Sequence, residues 1–107
     1  MKRITLMCAG GMSSSLLETK VRAAIEKMGV ECTVKAVGYS VMDRYFDKTD
    51  VFLLAPQVRY QLKRLEEVCN EKGIPIAAMN PIDYGRMNGE AILKQALSIL
   101  NINENII

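Results

Sequence analysis

A cysteine, Cys8, closes a short apolar run and is followed by Ala9, Gly10, Gly11, Met12, Ser13, Ser14, Ser15 and Leu16. A thiolate is a nucleophile, and Gly10 and Gly11 carry no side chain to keep an anion away. Ser13, Ser14 and Ser15 add hydroxyls and further amides at the mouth of a helix. Free N–H groups and the helix dipole favour negative charge there, which suits both a phosphate and a thiolate. One segment thus combines a nucleophile with a P-loop-like phosphate loop spanning Ala9 to Leu16.

The plain alternative is that a lone cysteine at a strand end is core packing. That assignment is made for Cys32 and Cys69, which lie on apolar faces of an edge strand and a helix. An odd cysteine count without a CxxC pair argues against a disulfide framework, a redox pair and a zinc ribbon. The chain has no histidine, so the commonest general base and metal ligand are missing. No metal or cofactor is expected.

Two strand–loop–helix relatives are tested by single residues. A cysteine phosphatase of the low-molecular-weight type, the alternative function, needs an arginine six positions after its cysteine. This chain has Ser14 there, so the bidentate guanidinium clamp is lacking and a carrier fits better than a hydrolase. A response-regulator receiver needs acids at the end of its first strand, where Met7 and Cys8 stand.

The elements that position these residues follow from periodicity. Ile4–Cys8 and Val51–Ala55 are wholly apolar and predict central strands. Val30–Val37 alternates, with Glu31, Thr33 and Lys35 outward, and predicts an edge strand. Pro75–Met79 predicts a fourth. A helix is expected from about Ser15, with Ser15 and Glu18 as a capping box and Leu17, Val21, Ala24, Ile25 and Met28 inward. A second carries Val58, Leu62, Leu65 and Cys69, and a third runs from about Gly89 to Leu100. Gly38–Asp50 is expected as a polar connection with a helical turn near Met42–Phe46, Asn80–Asn88 as a loop, and Asn101–Ile107 as a frayed end.

This pattern predicts an α/β three-layer sandwich on a four-stranded, mainly parallel sheet of order 2-1-3-4. All 107 residues are assigned to one domain. Ligands of such sheets bind beyond the strand carboxyl ends, where the order reverses. Cys8, the Pro56–Gln57 corner and the Asn80–Gly85 loop converge there. Gln57, Arg59, Tyr60, Asp83 and Tyr84 are the expected supporting rim. Arg59 either touches phosphate, helps dock a partner or is a solvated helix-start residue; Tyr84 is either a wall of the site or a half-buried anchor. Met12 is expected as an exposed contact. The net charge of +2 is too weak to suggest nucleic acid, and with no basic stripe interleaved with aromatics no nucleic-acid partner is expected. No apolar stretch reaches the roughly 20 residues of a membrane span, so a cytoplasmic protein without membrane insertion is expected.

From Cys8 (CAGGMSSSLL), ending at Tyr60 (LLAPQVRY) and from Ile82 (IDYGRMNGEAIL), the chain resembles the IIB component of the lactose/cellobiose (N,N′-diacetylchitobiose) family of the bacterial sugar phosphotransferase system. The resemblance runs from about Lys2 to Leu100. Ala55 departs from the glycine more usual before Pro-Gln. The resemblance implies a phosphocysteine at Cys8. A phosphohistidine on a IIA partner would donate it, and a sugar presented by a IIC transporter, such as cellobiose, would receive it. The missing histidine would then belong to the donor.

Overall fold

The computed structural model describes residues 1–9 and 12–105, apart from the side chains of residues 12–14 and 101–105. Strand β1 (Lys2–Cys8) leads to helix α1 (Met12–Met28) and strand β2 (Cys32–Gly38). A 3₁₀ segment (Tyr39–Lys48) returns the chain to strand β3 (Val51–Leu54). A second 3₁₀ segment (Pro56–Gln61) feeds helix α2 (Leu62–Lys72), then strand β4 (Ile76–Ala78), the short helix α3 (Pro81–Gly85) and helix α4 (Gly89–Asn105).

The sheet order is β2-β1-β3-β4 and every pairing is parallel, as the strand patterns predict. Ile4 to Cys8 of β1 and all of β3 are buried because helices cover both faces of the central strands. On β2, exposed Thr33 and Lys35 alternate with buried Cys32 and Val34, as an edge demands. Right-handed crossovers put α1 and α2 on opposite faces. Helix α4 packs against α1, and Gly89 lets the two backbones come close: a Cβ there would overlap the backbone carbonyl of Lys20. Phe52, Leu6, Leu53, Leu17, Ile92 and Leu93 lie in the core. Each such side chain contributes about 1.5–3 kcal/mol by leaving water.

Four expectations are corrected. Helix α1 starts at Met12, not near Ser15, so the serines lie within its first turn. The Gly38–Asp50 connection is 3₁₀ over ten residues, broken only at Val41 (φ −110°, ψ 17°). Its sequence is polar only on one side: Met42 is buried and Phe46 meets Phe52 edge-on, centroids 6.0 Å apart. The Asn80–Asn88 loop contains α3, whose Pro81 needs no amide partner at the first helical position. Finally, α4 runs on to Asn105 where fraying was expected. Ile106 and Ile107 lie outside the described residues. Among the described residues no helix is long and apolar enough to cross a membrane.

Candidate functional site

Parallel pairing brings every strand's carboxyl end to one rim. Cys8 stands opposite Gly38 of β2, and the Ala55 amide donates to the Met7 carbonyl at 2.8 Å. The Met79 amide donates to the Leu54 carbonyl at 2.7 Å. Cys8, Ala55 and Met79 therefore mark three neighbouring strand ends. The corner after β3 thus leaves the strand next to β1, and the helix after β4 starts one strand further out on the same rim.

The Cys8 residue is only 2% exposed, while Ala9 beside it is exposed. A thiol that exchanges a phosphoryl group needs an opening. Gly10 and Gly11, which follow immediately, lie outside the described residues, as do the side chains of Met12, Ser13 and Ser14. Met12 to Ser15 form the first turn of α1, whose leading amides lack helical acceptors by geometry.

The Ser15–Glu18 capping box is not formed. Ser15, three residues inside the helix, is exposed, and its carbonyl accepts the Thr19 hydroxyl at 3.0 Å. Glu18 instead reaches sideways. One carboxylate oxygen accepts the Ala36 amide of β2 at 2.7 Å, and the other accepts the Arg22 guanidinium at 2.8 Å. Partial burial works against the charge, but the Ala36 amide, Arg22 and Lys35 together hold the carboxyl below its ordinary range.

Gln57, Arg59 and Tyr60 are exposed on the 3₁₀ corner, with Tyr60 at 71%. Asp83 and Tyr84 are half-buried on α3, where Tyr84 packs against the core in the manner of an anchor. Asn80 caps that helix: its side-chain oxygen accepts the amides of Ile82 (2.9 Å) and Asp83 (3.2 Å). Sequence reasoning passed over this cap, although Asn followed by Pro is a helix-start signal. It also missed Gln95 of α4, which donates to the Ala78 carbonyl at 2.8 Å and accepts the Asn80 amide at 3.3 Å. Nothing in the local sequence signals that contact.

Leu16 (48% exposed) on α1, Tyr60 on the 3₁₀ corner and Ile82 (64%) on α3 are exposed apolar side chains. Among the described residues, large apolar side chains are exposed only at these three and Met1. The three follow the ends of β1, β3 and β4. The other two cysteines behave as packing residues. Burial raises the Cys32 thiol, and it pushes the fully buried Cys69 thiol up to about 11.

Residues 3–95 match the sequence profile of the lactose/cellobiose-specific IIB subunit of the phosphotransferase system. The oligo-beta-mannoside-specific EIIB component of Bacillus subtilis is 32% identical over 100 residues, spanning 94% of this chain and 97% of that one. The solution structure of a cellobiose-specific phosphotransferase IIB component from Borrelia burgdorferi matches with a TM-score of 0.78 at 41% identity, over 94% of this chain and 92% of that chain. A lactose-specific EIICB component of Staphylococcus epidermidis is 28% identical over 93 residues, which is 85% of this chain and 16% of that longer protein.

Proposed function

This chain belongs to the lactose/cellobiose-specific IIB family of the sugar phosphotransferase system, and from that premise we propose that Cys8 is its phosphoryl-carrying residue. As a IIB component it serves sugar phosphotransfer. The observation that carries the assignment to Cys8 is its place at the end of β1, immediately ahead of the α1 amino end.

Two half-reactions follow. The Cys8 thiolate attacks the phosphorus of a phosphohistidine on a IIA protein. An S–P bond forms, the P–N bond breaks, and the imidazole leaves. A sugar hydroxyl then attacks the phosphocysteine. An O–P bond forms, the S–P bond breaks, the thiolate leaves, and the hydroxyl proton goes to a base outside this chain. Backbone amides from about Gly10 to Leu16, helped by serine hydroxyls, stabilise the equatorial oxygens in both steps. Ser14, standing where a phosphatase of this kind needs its clamping arginine, favours a carrier over a hydrolase.

The exposed Leu16, Tyr60 and Ile82, with Gln57, Arg59 and Asp83 beside them, suit transient docking, first of IIA and then of a IIC transporter. The EIICB relative, whose name joins C and B components, supports the second partner. A β-linked disaccharide such as cellobiose is the proposed cargo, and the cytoplasm the proposed site. We take residues 1–107 as one IIB domain.

The test is mass-spectrometric mapping after incubation with phosphorylated IIA. Phosphate on Cys8, lost in Cys8→Ser, is expected. Phosphate elsewhere, or undiminished labelling of Cys8→Ser, rejects the proposal. Rapid turnover of an aryl phosphate by the chain alone would favour the hydrolase.

A further inference from the structure

Both edge strands of this sheet have an outward-facing backbone group at the rim end, and both groups are taken by a helix side chain. The Glu31 carbonyl faces β1, since it accepts the Lys2 amide. Strand alternation then turns the Ala36 amide outward from β2, and Glu18 of α1 takes it at 2.7 Å. On the other side the Met79 amide faces β3. The Ala78 carbonyl and the Asn80 amide therefore face away, and Gln95 of α4 takes both. The Gln95 carboxamide makes the pair of bonds that a residue of a fifth parallel strand would make.

We propose that Glu18 and Gln95 are positioning residues that fix the two outer walls of the rim. This rests on the phosphocarrier assignment made above. Ala36 lies two residues before Gly38, the strand position opposite Cys8. The Glu18 bond ties the early turns of α1 to the sheet within one strand repeat of the thiol. It sets how the first-turn amides meet a phosphoryl group on that sulfur. Arg22 and Lys35 balance the Glu18 charge, so the clamp does not compete with that phosphoryl group for the positive end of the helix. Gln95 acts one wall away. It holds the Asn80 amide while the Asn80 side chain caps α3, which carries Asp83 and Tyr84. Glu18 thus governs the reacting group, and Gln95 governs the wall a partner meets.

The experiment compares Glu18→Ala, Glu18→Gln and Gln95→Ala with the wild type, well below each melting temperature, as phosphoryl transfer from phosphorylated IIA per folded molecule. Glu18→Ala is expected to lower kcat about tenfold, because small displacements of a reacting group are costly. Glu18→Gln, which keeps the acceptor oxygen for Ala36, should stay within about twofold of wild type. Gln95→Ala should raise KM about fivefold with kcat unchanged, since it loosens a docking wall. A merely structural role would lower the melting temperature and leave these rates alone; wild-type rates in Glu18→Ala or Gln95→Ala overturn the proposal. If wild type takes no phosphate on Cys8, the carrier assignment has failed separately. Positioning is then read from alkylation of Cys8 by iodoacetamide, where Glu18→Ala must differ about tenfold from both wild type and Glu18→Gln. An unchanged rate there rejects it too.

Discussion

Arg3 and Asp50 hold the end of the sheet opposite Cys8 through reciprocal bonds. The Arg3 amide and Nε donate to Asp50 Oδ2 at 2.7 and 3.1 Å, and the Asp50 amide donates back to the Arg3 carbonyl at 2.8 Å. Partial burial opposes the Asp50 charge, but the bonds from Arg3 and the nearby Lys2 prevail and hold its carboxyl below the ordinary range. A depressed carboxyl contributes stability that is complete above its unfolded pKa, about 3.9, and fades as pH falls through the folded value. Asp50→Asn should therefore destabilise by about 1 kcal/mol near neutrality and flatten the acid limb below about pH 4. Urea melts from pH 7 to pH 2.5 check this. An acid limb as steep as wild type would show that Asp50 does not carry it.

Two glycines separate crowding from backbone strain. Gly89→Ala must push its methyl into the Lys20 backbone, so a loss of about 1–3 kcal/mol is expected, with α4 shifted from α1. Gly73→Ala meets nothing within 4 Å but must keep φ near +70° at the α2 terminus. It should lose about 1–2 kcal/mol with no change in packing. Amide spectra discriminate: widespread shifts in α1 are expected for Gly89→Ala only, and the same pattern in both variants would contradict this account.

Cys69 is fully buried with its thiol pushed up to about 11, so at pH 8 only about one molecule in a thousand carries the thiolate. Iodoacetamide should leave Cys69 unlabelled in the folded protein and label it fully in urea. Labelling of native Cys69 as fast as in urea would disprove its role as a packing residue.

Tyr60→Ala and Ile82→Ser remove exposed apolar surface without opening the core. Melting temperatures should correspond to stabilities within about 0.5 kcal/mol of wild type. The KM for phosphorylated IIA should rise about fivefold or more in each. Unaltered KM in both would remove this face from the docking surface.

The strand order was legible because burial writes different patterns on edge and centre: Thr33 and Lys35 interrupt β2, and nothing interrupts Val51–Leu54. The side-by-side placing of the β1, β3 and β4 carboxyl ends followed from that order. The start of α1 was misplaced because serines favour helix caps, yet here Gly10 and Gly11 precede Met12 and the serines are helical. The role of Glu18 was invisible locally, since its partner Ala36 lies 18 residues away and becomes a neighbour only once β2 is in place. Of the 3₁₀ path of Tyr39–Lys48 only the turn near Met42–Phe46 was legible, because its charged residues mask the spacing of Tyr39, Met42 and Phe46.

The bonds made by Glu18 and Gln95 also bear on how copies of this chain meet. A β-strand from a neighbouring molecule that approached either flank near Ala36 or Ala78 would find those backbone groups already satisfied. Zipping along the sheet is obstructed at the end that carries Cys8. A crowded solution of it is thereby steered away from fibrous self-association.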